Sequence, residues 1–370
     1  MRTLLPFITL LFTLLSIDTF SQVVSTIWDS NVERITDAVI FDDQGNLYGA
    51  DYNGQSIYVL SPSGDMSTFA SGMNTPNGLA FDSENNLFVC DNVANRIYKI
   101  NSDGVFVDTI LTNNPSGIIK MLESDTMIFT SYLGNALRKL APDGVIVETH
   151  QGGDLVGPVG LAFDDEGILL VGNYTNRKIY SVNGPDLTYI ATVPGPSAGA
   201  LGFIAFGGGY IWGTSFQGHE IYQIERSEID SFTLYSGSVQ GNMDGPISEA
   251  TFSSPNGIIT NAAADSIYVS QYPTGEIRLI SPSLVGITEF KAPDVSIYPN
   301  PTKDILSIQT SAVIKRVEVM DILGNIVLEM NSNASTLNKG IDVSSLQRGV
   351  FFVRLFGTNN ESIEKRFVKL

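Results

Sequence analysis

One position recurs along the chain with a side chain suited to recognition: Tyr52, Asn92, Tyr132, Tyr174, Phe216 and Tyr272, spaced 40, 40, 42, 42 and 56 residues apart. Five of the six are aromatic, so a ring of them could stack on sugar faces or on a peptide, each Tyr adding a polar tip to an apolar plane. The same recurrence also serves a scaffold whose units pack on their neighbours. Nucleophilic chemistry has far less to draw on. His150 and His219 are the only histidines, Cys90 is the lone cysteine, and no Gly-x-Ser-x-Gly elbow occurs. A thiolate zinc site, a three-histidine zinc site and a disulfide scaffold are excluded by count. Cys90, between Val89 and Asp91, reads as a small buried apolar residue, and His219 as a turn residue. This scarcity favours binding over catalysis.

The elements that must position these residues repeat. Copies start at Asp37-Ala38-Val39-Ile40-Phe41, Pro76-Asn77-Gly78-Leu79-Ala80-Phe81, Pro115-Ser116-Gly117-Ile118, Pro158-Val159-Gly160-Leu161-Ala162-Phe163, Ala200-Leu201-Gly202-Phe203-Ile204 and Pro255-Asn256-Gly257-Ile258. Each holds three short apolar strands parted by turn residues, with a fourth in the following connection, as in Val105–Ile110. Four-stranded units of about 40 residues that hide their faces on their neighbours are propeller blades. The sixth copy lacks an outer strand of its own, so Val23–Trp28 is expected to close the ring. The fold class is all-β: a six-bladed β-propeller followed by a small immunoglobulin-like β-sandwich.

Strand order then places the recurrent aromatic position on the top face, with the connections that enter each innermost strand. Opposite lie acidic turns such as Asp42-Asp43-Gln44-Gly45, Asp82-Ser83-Glu84-Asn85 and Asp164-Asp165-Glu166-Gly167, which read as turn chemistry rather than calcium loops. An insertion, Val239-Gln240-Gly241-Asn242-Met243-Asp244-Gly245-Pro246, is expected to reach the top face, as a binding loop or as a loop packed by Phe252.

Charge divides the chain. Residues 22–290 carry 10 basic and 30 acidic side chains, whereas 291–370 carry 10 and 8. The acidic excess argues against nucleic acid as a partner. Arg2, an apolar run from Leu4 to Leu15 and polar residues to Gln22 form a secretory signal too short to span a membrane, cleaved near Ser21. No later stretch is apolar enough for a transmembrane segment in the mature chain. The expected division is signal peptide 1–21, propeller 22–288, linker 289–295 around Lys291-Ala292-Pro293-Asp294, and a C-terminal domain 296–370.

That last domain resembles the type IX secretion sorting domains of the Bacteroidota. The resemblance rests on Tyr298-Pro299-Asn300-Pro301-Thr302, Asp321-Ile322-Leu323-Gly324-Asn325, the stretch from Asp342-Val343-Ser344-Ser345-Leu346 to Arg348-Gly349-Val350-Phe351-Phe352-Val353-Arg354, and the ending Lys365-Arg366-Phe367-Val368-Lys369-Leu370. It implies the type IX secretion machinery as a partner, passage across the outer membrane, removal of the domain, and a secreted or outer-surface location.

The repeats resemble NHL-type repeats and the gluconolactonase-like six-bladed group, on Pro76-Asn77-Gly78-Leu79-Ala80-Phe81-Asp82, Asp91 with Asn95-Arg96-Ile97-Tyr98, and Asp244-Gly245-Pro246 with Ala250-Thr251-Phe252 ahead of Pro255-Asn256-Gly257. In gluconolactonase-like proteins a divalent ion sits at the centre of the top face. The resemblance puts its ligands here at Asp37, Asn77 and Asn256, with Ser116, Val159 and Leu201 or a near neighbour at the remaining positions. Asp37 stands where the family has a longer Glu. The reading is therefore a secreted propeller that needs no cofactor and binds a glycan or a protein through Tyr52, Tyr132, Tyr174, Phe216 and Tyr272. The alternatives are a lactone or ester hydrolase using Ca²⁺ or another divalent cation at Asp37, Asn77 and Asn256, and a structural surface protein.

Overall fold

The computed structural model describes residues 22–30, 32–261, 263–282, 295–310, 314–321, 325–331, 340–356 and 362–370. The expected signal 1–21, residues 289–294 of the expected linker, and Ile322-Leu323-Gly324 lie outside the described residues. Residues 22–282 form one compact unit and 295–370 another. The described residues contain strands and turns and no helix long and apolar enough to cross a membrane.

The first unit is a β-propeller built of antiparallel sheets. Five sheets are four-stranded meanders whose strands pair in sequence order, such as Pro76–Phe81, Leu87–Asp91, Arg96–Ile100 and Phe106–Leu111. A further sheet joins Pro255–Thr260, Ile267–Gln271 and Ile277–Pro282 to the N-terminal strand Gln22–Trp28. The innermost strands touch in cyclic order: Val39–Phe41, Pro76–Phe81, Pro115–Lys120, Pro158–Phe163, Leu201–Gly207, Pro255–Thr260, and back to the first.

Burial explains the sequence pattern within each sheet. Inner strands are covered on both faces by neighbouring sheets, so Leu87-Phe88-Val89-Cys90-Asp91 is buried throughout. An outermost strand such as Phe106–Leu111 exposes all but one residue, Ile110. The acidic turns are structural. Asp42 Oδ1 accepts the N–H groups of Gln44 and Asn46 at 2.9 and 2.8 Å, and Asp82 and Asp164 repeat the arrangement at their own turns.

Glycines let the inner strands converge. A Cβ on Gly117 would lie 1.8 Å from the Val159 carbonyl oxygen of the next sheet, and one on Gly257 would lie 2.2 Å from that of Asp37. Gly78, Gly160 and Gly202 make equivalent approaches to backbone atoms of the following sheet. No side chain fits there.

The insertion does not behave as a free loop. Gly245–Pro246 pairs with Val23 and Val24 at the outer edge of the closing sheet. Arg278, fully buried, donates to the carbonyls of Thr251 and Met243 at 2.8 and 3.0 Å and to Asp244 Oδ1 at 2.8 Å, with Phe252 under its guanidinium.

Among its described residues, the second unit has two sheets. One holds Ser296–Tyr298, Ile305–Gln309 and Ile341–Asp342; the other holds Ile326–Asn331, Arg316–Met320, Gly349–Phe356 and Ser362–Lys369. Both contribute to one apolar core that includes Leu306, Ile341, Val317, Val319, Val353 and Phe367.

Candidate functional site

Two residues at the end of each second strand divide the labour. The first is buried and pins the connection that enters the sheet. Asp91 accepts the N–H groups of Asn74 and Thr75 at 2.7 and 3.0 Å, Asn173 Nδ2 donates to the Asp154 carbonyl, and Ser131 and Ser215 donate to the carbonyls of Asn113 and Pro194. The second residue is the recurrent aromatic position. Its N–H is held by the same connection: Tyr132 by the Asn114 carbonyl, Tyr174 by Gly157, Phe216 by Ala200 and Tyr272 by Ser254. The backbone is thus fixed while the side chain is left to point inward.

All six recurrent residues line one cavity of about 330 Å³. Tyr132, Tyr174, Phe216 and Tyr272 form a continuous run of ring contacts, the first edge-on and the others tilted, with centroids 6.0, 6.2 and 5.4 Å apart. The rings therefore pack on one another and wall the cavity at the same time. Asn53 Nδ2 donates to the Tyr272 hydroxyl at 3.0 Å. Burial pushes the Tyr174 hydroxyl up to about 12, helped by the neighbouring Tyr132 and Asp37, and burial with Asp37 raises Tyr52 in the same sense.

A deeper ring comes from the starts of the innermost strands: Asp37, Asn77, Ser116, Val159, Phe203 and Asn256. A bulge after the first residue of five of these strands, as between Pro76 and Leu79, breaks the pairing where these side chains emerge. Hydroxyls in the second strands satisfy the freed groups. Thr130 Oγ1 accepts the Gly117 N–H at 2.7 Å, and Ser270 Oγ accepts that of Gly257 at 2.8 Å.

Among the described residues, Asp37 is the only acidic one of the cavity wall, and no basic one lines it. It is 4% exposed, and its Oδ1 has no hydrogen-bond partner. Burial pushes its carboxyl well above the usual carboxylate range, against the opposing pull of the Ala38 N–H and the Asn256 side chain.

Asp37, Asn77 and Asn256, the residues that the gluconolactonase-like resemblance points to, do meet at one cavity. They do not make a suitable seat for a resident divalent ion. A hard cation takes six or more oxygens, several of them charged. Here one carboxylate, disfavoured in its charged form, faces two amides and a hydroxyl, while Val159 and Phe203 bring no donor. Among the described residues, no group of three His, Cys, Asp or Glu side chains gathers as a metal site.

The position expected at Leu201 or a near neighbour is filled by Phe203, His219 stands in a turn, and the insertion departs from its reading as a binding loop. Leu201 is fully buried in the core between sheets, and Phe203 lines the cavity instead. In this copy Gly202 takes the place that Asn77 holds in the second, so the inward side chain comes one residue later. The insertion 239–246 supplies no residue to the cavity, because Arg278 and the N-terminal strand hold it at the sheet edge. His219 is half-buried, and its Nδ1 accepts the Ser254 N–H at 2.9 Å. Asn92, at the recurrent position, and Ser116, at one of the ligand positions of the resemblance, both line the cavity.

Residues 296–369 match the family of secretion system C-terminal sorting domains. No curated protein matches the chain in sequence. Among solved structures, virginiamycin B lyase from Staphylococcus aureus is similar at 16% identity and a TM-score of 0.53, covering 70% of this chain and 99% of its own. A gluconolactonase from Xanthomonas campestris is similar at 17% and 0.53, covering 70% and 89%. An auxiliary nutrient binding protein from Bacteroides ovatus is similar at 15% and 0.57, covering 71% and 77%. At such identities the likeness is one of fold, and one propeller hosts many activities. The chain is a β-propeller of gluconolactonase-like fold followed by a secretion system C-terminal sorting domain, which directs it through the type IX system to the cell surface or the extracellular space.

Proposed function

We propose that the chain is a secreted, six-bladed β-propeller of a Bacteroidota surface that binds a glycan or protein ligand through its top-face cavity. Its immunoglobulin-like C-terminal domain serves export. One observation carries the reading: five aromatic side chains from five sheets, and a buried polar ring beneath them, open into a single cavity. Packing alone would not require all five rings to border the same void. The nutrient binding protein of Bacteroides ovatus shows the fold in a binding protein, which supports the reading by analogy.

The test is a glycan array and a protein pull-down with the mature chain, repeated with Tyr132→Ala and Tyr174→Ala. Ligand should be lost in both variants while the thermal transition stays cooperative. Ligand retained at full affinity in both would move the binding surface elsewhere.

A further inference from the structure

The cavity's carboxyl group and its shape narrow what enters it. Asp37 lines the void while 4% exposed, and its buried Oδ1 has no hydrogen-bond partner within the protein. Among the described residues, no Lys, Arg or His lines the cavity to neutralise it. The outer wall is mainly aromatic, with Tyr52, Tyr132, Tyr174, Phe216 and Tyr272, and the deeper ring sets the neutral Asn77, Ser116 and Asn256 beside Val159 and Phe203. The unit around it has 30 acidic against 10 basic residues over 22–290, so its field draws cations in.

An aromatic wall and one buried carboxylate are what a positively charged, weakly hydrated organic group requires. Ring faces and phenol oxygens attract the cation, while a strongly hydrated metal ion would need more oxygen ligands than the site offers. We infer that the group received by this cavity is an alkylated ammonium ion, seated within the aromatic ring against Asp37. The inference rests on the cavity being the ligand site and specifies the chemistry admitted there. An opposite charge within about 4–6 Å favours the ionised carboxyl, so a seated cation offsets the cost of burying Asp37.

The experiment is isothermal titration of the mature chain with choline and with its neutral carbon isostere, 3,3-dimethylbutan-1-ol. Glucosamine and calcium chloride are run in parallel. Choline should bind, and the neutral isostere should bind at least about tenfold more weakly, since only the charge differs. Asp37→Asn, which keeps the side-chain volume, should weaken choline by about tenfold or more.

The comparison of the two ligands needs no variant, so it stands even if a substitution disturbs folding. Equal binding of choline and its isostere overturns the ammonium assignment but leaves the cavity as a binding site. So does a glycan or protein ligand abolished by Tyr174→Ala in a chain that ignores choline. Tighter binding of glucosamine than of choline replaces the alkylated ion by a primary amine and overturns the assignment. Stabilisation by calcium alone overturns it in favour of a metal. A chain that binds none of these ligands, with no array or pull-down partner, overturns both readings.

Discussion

The Ser270 hydroxyl donates a 2.7 Å hydrogen bond to the main-chain carbonyl of Asp37, 233 residues away in sequence. The same oxygen accepts the Gly257 N–H at 2.8 Å. One buried hydroxyl thereby joins the closing sheet to the first sheet and fixes the backbone that carries the cavity's single carboxylate.

Ser270→Ala should strand a buried carbonyl and a buried N–H together. The expected loss is about 2 kcal/mol, or roughly 4–8 °C in the thermal midpoint of a domain of this size. Calorimetry of the propeller transition reads it, and an unchanged midpoint would remove the proposed tie between the two sheets.

Gly117→Ala tests the close approach of adjacent inner strands. Its Cβ would fall 1.8 Å from the Val159 carbonyl oxygen, a backbone atom that cannot swing aside. The sheets must separate locally, at a cost of about 3 kcal/mol. Chemical denaturation should show an earlier midpoint, with ligand affinity also reduced because Ser116 and Val159 shift with their strands.

Asp37→Asn should stabilise the ligand-free protein, and only at higher pH. The native carboxyl lies above its unfolded value of about 3.9, so the folded state holds the proton more tightly. The aspartate's contribution is therefore most favourable below pH ~4 and is lost as the pH rises toward the native value. Melting curves of the two proteins should coincide near pH 3 and diverge at pH 7, with the variant higher; the opposite order would contradict the burial argument.

Arg278→Met should loosen the insertion. Two backbone carbonyls lose their donor, and the half-exposed Asp244 returns to water, for a loss of about 2–3 kcal/mol. Limited proteolysis should then cut within 239–252, where the native chain resists. Cavity binding should be spared, since this segment lies outside the wall.

The propeller was legible because a repeat unit repeats its needs. The buried residue before each recurrent aromatic, Asp91 or Asn173 for example, solves the same backbone problem in every sheet, and that constancy sets the period. The aromatic position followed from the 40- to 56-residue spacing alone. What stayed hidden depended on single-residue geometry. Gly202 and Phe203 exchange the usual order of inward side chain and glycine, a change invisible until the close approach to Asn256 is known. The insertion looked like a surface loop because its anchor, Arg278, lies about 35 residues downstream on another strand. The unpartnered oxygen of Asp37 is a property of three dimensions only.

The strand Gln22–Trp28 runs antiparallel to Ile277–Pro282 with Gln22 opposite Pro282, so the propeller begins and ends side by side. Tension applied between those two ends would part the pair one rung at a time, like a zip, instead of sliding all rungs at once. The propeller should therefore open at low force from its seam, and a cross-link between positions 22 and 282 should raise that force sharply in a pulling experiment. The same adjacency gives a circular permutant: joining the ends there and reopening the chain in an acidic turn would leave every sheet intact.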